Sequence, residues 1–437
     1  MTESDLPNRR VVTETTLPPM KTFGTAPAPK AVMQSNADLA QDFLDLSFAL
    51  ESGRPLPVFT RFEGPITLRL TGAPQPTLQT DLQLLMARLQ REAGVEITLT
   101  AQQSANITIE AVPRSAIKRV LPQAACFVAP NVTSLREYRQ ERRNKTTNWT
   151  LLKQRTTVAI FVPNDVSPQE ARDCLHEELA QALGPLNDLY RLPNSVFNDD
   201  NVHTVLTDFD MLMLRITYAP EIGSGMTRDA VADQLPVILA RFNPAGRRAV
   251  QTTTDPTPRD WIEAIQAALG PDTSPANRRI ASENAVAIAK KRGWTDHRRG
   301  FSHYARARIL QGEDPVAAVA EYRRADGFYS QSTQTRLHQA YVATQLAAYA
   351  LAAGQPEVAI ARIDPHTKAA ADAQNAALLS TLQLLQAEAL DGMGRTDEAR
   401  TLRLDSLGWA RYGFGEEWVV RSKLREIAAL GTHTPPV

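Results

Sequence analysis

Apolar residues along the chain recur with two different periods, and the switch between them divides the sequence. Leu39, Phe43, Leu46 and Leu50 recur at steps of 4, 3 and 4, a helical stripe that ends at Gly53. Residues 58–62 and 66–70 alternate as strands on either side of Gly64-Pro65. A helix from about Thr77 to Glu92 follows, with Leu82, Leu85 and Leu89 on one stripe. Residues 95–100 and 107–112 read as two further strands, and the apolar run Val158–Val162 as a buried one. Ser167-Pro168 with Glu170 supplies a cap, a first-turn proline and a capping acid for a helix reaching Leu183, which stops at Gly184-Pro185. Strands and helices interleaved in this way predict an α+β domain with a mixed sheet over residues 39–245.

Residues 1–38, rich in Pro, Thr, Ala and charge, read as a disordered tail, and residues 246–258 as a linker. Everything in 259–437 reads as helix. Three segments there resemble one another around Gly312, Gly354 and Gly394, spaced 42 and 40 residues apart. A helix, a glycine turn and an Ala-rich second helix is the unit of a tetratricopeptide-like repeat, although the usual period is about 34. The fold class expected is therefore an α+β domain followed by an all-α helical repeat domain.

Charge and composition narrow the function classes. The chain has 48 basic and 48 acidic residues, so its zero net charge gives no electrostatic footprint for nucleic acid. No apolar run reaches the roughly 18 residues of a transmembrane helix. Nor does the N-terminus carry an apolar signal segment. The only cysteines are Cys126 and Cys174; two buried thiols and one disulfide are both open on composition.

The helix over 168–183 carries the chemistry. His176-Glu177 looks like the start of a zinc-binding HExxH helix, but position 180 is Ala, so the second imidazole is missing. Ala171, Cys174, Leu175, Leu179, Ala182 and Leu183 form its apolar stripe, and Glu178 falls inside it. A carboxylate on an apolar face is costly unless paired or bound to a cation, and desolvation raises its pKa into the range of a general base. The run reads Glu177-Glu178-x-x-Gln181-x-x-Gly184-x-x-Asn187-Asp188.

This pattern resembles the metzincin motif HExxHxxGxxHD with Glu177, Gln181 and Asn187 at the three ligand positions and with Glu178, Gly184 and Asp188 retained. Downstream, the segment 206–220 followed by Gly225-Met226 is similar to the helix and methionine turn of that fold, with Met226 as the turn methionine. The combination resembles a proteobacterial envelope family classed as a domain of unknown function, over roughly residues 40–245. The resemblance implies a degenerate metzincin-like (zincin-like) domain, export to the periplasm or envelope, and hence a Cys126–Cys174 disulfide pinning the helix to the sheet. Relatives usually begin with a signal that this sequence lacks. A cytoplasmic regulator acting through its repeats is thus kept as an alternative.

Glu, Gln and Asn make a poor zinc set, because zinc prefers imidazole and thiolate; oxygen donors suit Ca²⁺ or Mg²⁺. The site is expected to hold either no cofactor or a divalent metal. The first reading is a silent zincin relative that binds a protein or cell-wall partner. The second is a hydrolase of peptide or cell-wall amide bonds with Glu178 as base, assisted by Asp188 or Glu177. In the third, Glu177 and Gln181 are structural hydrogen bonders. His176 is expected to be a satisfied histidine, and the Asn198–Asn201 run before His203 a set of turns rather than a cation site. The aromatic stretch 406–415 is expected to cap the last repeat. Oligomeric state is not legible in the sequence.

Overall fold

The computed structural model describes residues 17–26, 28–251 and 255–432. The tail residues 1–16, and residues 252–254 of the expected linker, lie outside the described part. The N-terminal region runs α1 (Asn36–Ser47), β1 (Ile66–Gly72), α2 (Pro76–Arg88), β2 (Ile97–Leu99), β3 (Ile107–Val112), α3 (Arg114–Lys118), β4 (Phe127–Pro130), α4 (Leu135–Glu141), β5 (Val158–Pro163), α5 (Pro168–Leu183), α6 (Asp208–Thr217) and α7 (Arg228–Phe242).

The five strands form one sheet in the order β2-β1-β3-β5-β4. β2, β1, β3 and β5 are mutually parallel, while the edge strand β4 runs antiparallel to β5 with Val128 opposite Ile160. The sheet is mixed, as the interleaved pattern predicts. All six residues of β5 are buried, which is why it reads as an unbroken apolar run. Val158, Ile160 and Val162 face the main core shared by α1, α2, α5, α6 and α7. Ala159 and Phe161 face a smaller core on the other side, with Phe127, Ile117 and Leu135.

Residues 58–62 depart from the strand expected of them. Phe59 and Phe62 are buried, but the segment lies outside the sheet and pairs with the Met226 turn instead. Phe59 N donates to Met226 O and Gly225 N to Phe59 O, both across 2.9 Å. Alternation reports one buried face; here a turn, not a neighbouring strand, satisfies the backbone on that edge.

The C-terminal region is all helical: α8 (Arg259–Leu269), α9 (Pro275–Lys291), α10 (His297–Leu310), α11 (Pro315–Tyr329), α12 (Arg336–Ala352), α13 (Pro356–Ile363), α14 (Thr367–Asp372), α15 (Ala376–Gly392), α16 (Thr396–Phe414) and α17 (Glu417–Ala428). Gly312, Gly354 and Gly394 sit in the turns joining α10 to α11, α12 to α13 and α15 to α16. Gly354 and Gly394 have φ of 68° and 79°, the left-handed conformation that ends a helix at low cost in glycine. Among the described residues no helix is long and apolar enough to cross a membrane.

The two regions are joined by specific contacts. Gln169 of α5 bonds Asn375 and the Ala377 N–H, Arg172 bonds the Gln374 carbonyl, and Tyr412 donates to Asp81 of α2 across 2.7 Å. Part of the expected tail takes a place here. Phe23 stacks on Trp409 at 4.5 Å, Lys21 N donates to Gly408 O, and Arg411 holds the Pro18 carbonyl. Two of these anchors, Phe23 and Trp409, are aromatic, so a proline-rich segment without periodicity still acquires fixed contacts. The aromatic stretch 406–415 accordingly serves as a docking surface for the chain's own N-terminal half, where a repeat cap was expected.

Candidate functional site

The helix α5 begins as its sequence dictates: Ser167 Oγ accepts from Glu170 N, with Pro168 in the first turn. Its apolar stripe packs into the main core through Cys174, Leu175, Leu179, Ala182 and Leu183. Cys174 is disulfide-bonded to Cys126, the residue before β4, so the helix is tied covalently to the sheet edge one turn before Glu178. Among the described residues there is no free cysteine. A disulfide of this kind is characteristic of oxidising compartments.

The far end of α5 is held by a residue that sequence reasoning missed. The Arg155 guanidinium is buried and donates to the carbonyls of Gln181, Ala182 and Gly184, while Tyr218 OH donates to that of Leu183 across 3.1 Å. Four successive carbonyls at the helix C-terminus are thereby satisfied. Burial lowers the Arg155 pKa to about 10, and the guanidinium stacks over Trp149 at 5.1 Å. Gly184 is required sterically, since a Cβ there would meet Thr217 Oγ1 at 2.9 Å and Cγ2 at 3.0 Å.

Around this helix end the motif residues meet others from distant positions. Gln181 Nε2 donates to Glu51 Oε1 across 3.3 Å, bringing in the turn after α1. Asn187 Nδ2 donates to the Asp45 carbonyl across 2.9 Å, and Leu186 N to the Leu46 carbonyl across 3.1 Å. Residue 51 lies on an exposed turn, but its carboxylate is directed inward onto Gln181. Asp188 interacts with Glu51 and Glu178, and Asp199 completes the group while accepting from Tyr190 OH across 2.9 Å. Glu51, Glu177, Glu178, Asp188 and Asp199 thus form one acidic cluster.

Its electrostatics follow from burial and from like charge. Desolvation, then Glu51 and Asp199, raises Glu177 to about 8. Desolvation, then Glu177 and Glu51, raises Glu178 well above the carboxylate range, and Asp188 is raised in the same way. Glu178 is 5 % exposed and its Oε2 has no hydrogen-bond partner; Asp188 Oδ1 is also buried without one. Neutral carboxyls are what burial favours in the absence of a cation.

The residues at the three ligand positions, one carboxylate and two amides, make a weak set for zinc. Gln181 and Asn187 turn their NH2 groups to Glu51 and to the Asp45 carbonyl. Among the described residues no group of three His, Cys, Asp or Glu side chains is arranged to hold a metal. Met226 folds back so that its sulfur accepts from Gly223 N at 3.2 Å, while its side chain packs against the main core.

His176 and His203 are satisfied. His176 is buried and accepts from Leu206 N; burial, then Arg172 and Arg88, hold its pKa well below the usual value. His203 faces the Pro193 carbonyl at 3.1 Å. The run 198–201 folds as Asx turns, with Asn198 Oδ1 accepting from Asp200 N and Asp200 Oδ1 from Val202 N. Asp200 Oδ2 also meets His338 Nε2 of α12 at 2.9 Å, a contact between the two regions. Glu51 and Asp199 could not have been selected from sequence, because one reads as a loop residue and the other as part of a turn.

Residues 36–237 match the family model described as a protein of unknown function (DUF2927). They form a DUF2927 domain. All members of the acidic cluster except Glu51 come from the second half of the match, and the helical region from α8 onward lies beyond it. No curated protein and no solved structure matches the chain.

Proposed function

We propose that the DUF2927 domain is a catalytically silent, zincin-like binding domain, and that the whole chain acts as a binding or scaffold protein of the cell envelope. The observation that carries this reading is the donor set: positions 177, 181 and 187 offer one carboxylate and two amides, a weak set for zinc, and both amides are tied by their NH2 groups to Glu51 and the Asp45 carbonyl. The mixed sheet with one antiparallel edge strand, and the motif helix packed beneath it, support the zincin-like ancestry. The Cys126–Cys174 disulfide supports the periplasm or envelope over the cytoplasm. The helical hairpins, docked through Tyr412, Gln169 and Arg172, would extend the binding surface.

One observation favours a second reading, a hydrolase of peptide or cell-wall amide bonds. Glu178 is a buried carboxyl with a raised pKa and a partnerless Oε2, which are properties of a general acid or base. Peptide and peptidoglycan-amide hydrolysis assays on the native protein and on Glu178→Gln decide between the two. The silent reading predicts no turnover by either protein, whereas turnover lost in Glu178→Gln establishes the hydrolase.

A further inference from the structure

The five clustered carboxylates come from three places: the turn after α1 (Glu51), the C-terminal half of α5 (Glu177 and Glu178) and the loop that follows it (Asp188 and Asp199). Several neighbouring carboxylates have basic partners. Asp42 and Asp45 hold Arg191, Asp45 also holds Arg228, and Asp200 meets His338. Among the described residues, none of the five is joined to a lysine, arginine or histidine. Their partners include Gln181 on Glu51 and Tyr190 on Asp199, both neutral donors. Glu178, at 5 % exposure, directs an oxygen without a partner into this group, and Asp188 adds a second.

We infer that this acidic cluster receives an organic cation, a primary ammonium or guanidinium group of the kind carried by a lysine or arginine side chain. The inference rests on the binding reading above and names its ligand. Three features select an organic cation. First, the orphan oxygens of Glu178 and Asp188 are acceptors, and buried acceptors call for donors. An ammonium brings three N–H donors and a guanidinium five, with no acceptor of its own. Second, the carboxylates do not converge as a metal ion requires. An ion of the calcium type needs six to eight oxygens at about 2.3–2.6 Å, whereas N–H donors spread over a guanidinium reach acceptors that are farther apart. Third, the group runs from the surface inward: residues 51 and 199 are exposed, residues 177 and 188 are half-buried and Glu178 is buried, so a side chain can approach head first.

Calorimetric titration of the full-length, disulfide-intact protein with N-acetylargininamide, spermidine and calcium chloride in turn tests the assignment. The expected result is one saturable site for an organic cation. Affinity should fall at least about ten-fold in Glu178→Gln and in Glu177→Gln, as loss of one charge-assisted hydrogen bond implies. Glu398→Gln, on the exposed face of α16, should bind as the native protein does. N-acetylargininamide binding more tightly than spermidine would indicate a protein side chain as the source, and the reverse order a free polyamine. Heat-unfolding curves of both cluster variants establish that they are folded, so a lost signal reports the site. No binding of either organic cation up to about 10 mM, well above the range of a specific site, overturns the inference; so does binding that Glu178→Gln leaves unchanged. Calcium binding alone, lost in Glu178→Gln, also overturns it while leaving a silent binding domain in place. Hydrolysis of amide substrates that depends on Glu178 would instead overturn the silent reading itself.

Discussion

The side-chain amide of Gln181 donates to the carboxylate of Glu51 across 3.3 Å, joining a ligand position of the motif to a turn 130 residues earlier in the chain. That bond places a further acid beside the motif and adds to the acidic character of the site. Removing the acid leaves Gln181 Nε2 without this acceptor. Glu51→Ala should therefore cost about 1 kcal/mol in urea unfolding, the worth of one side-chain hydrogen bond. A much larger loss would mean that Glu51 is part of the core, not the rim.

Arg155 holds the C-terminal end of α5. Arg155→Met strips donors from the carbonyls of Gln181, Ala182 and Gly184 together, and the buried acceptors left behind should cost about 3–5 kcal/mol. Arg155→Lys should not restore stability, because one ammonium cannot reproduce a planar fork. Thermal unfolding of the two variants checks this, and a fully stable Lys variant would contradict it.

Cys126 and Cys174 close a loop with a sequence separation of 48. The chain-entropy relation for that length gives about 4 kcal/mol as an upper figure. Denatured, non-reduced protein should titrate with no free thiol, and reduction should lower the unfolding temperature. Two free thiols per chain would remove the tether between α5 and β4.

The contact between the two regions carries a pH dependence. His203, His297 and His338 cluster there, with ring centroids 6.3 Å apart for His203–His338 and 6.1 Å for His297–His338. Burial, then His338, holds both His203 and His297 at about 4, against the opposing pull of Asp200 on each and of Asp296 on His297. The Tyr190 carbonyl meets His297 and the Tyr329 ring lies beside His338 at the same contact. The unfolded chain binds these protons near pH 6.5 and the folded chain only near 4. Stability is therefore present above 6.5 and is lost as pH falls from 6.5 to 4, by roughly 3 kcal/mol per histidine. The buried carboxyls run the other way, so the comparison must be differential. His203→Gln should lose less stability than the native protein between pH 7 and pH 4.5 in urea titrations; equal losses would contradict the account.

Much of this fold is legible in the sequence where burial alone decides it. The six-residue run of β5, the cap and proline that open α5, and the glycine turns of the helical hairpins all carry local signals. Glu178 is legible for the same reason, since a lone acid in an apolar stripe contradicts its surroundings. The site's other half is not. Glu51, Asp199 and Arg155 belong to loops or segments without periodicity, and only tertiary approach brings them to the helix end. Residues 58–62 show the limit from the opposite side: their alternation is genuine, but it does not specify whether a strand or the Met226 turn is the partner.

The closeness of α15 and α16 gives a further test of the helical region. A Cβ on Gly413 would lie 2.5 Å from Ala377 N and 2.6 Å from its Cα, both backbone atoms. Gly413→Ala should destabilise the protein by about 2 kcal/mol or more, since the backbone must shift to admit it. Gly312→Ala, with open space around its Cβ, serves as the comparison and should change stability by less than about 1 kcal/mol. Equal effects in calorimetry would show that the close helix contact is absent.

Quantitative elemental analysis of the tag-free protein beside a Glu177→Ala/Gln181→Ala variant tests whether the motif helix holds a metal. A metal-free, silent binding domain predicts well under one equivalent of zinc, or of any other divalent metal, in both proteins. About one metal per chain in the native protein, lost in the variant, would make the motif a coordination sphere and put the hydrolase reading in its place.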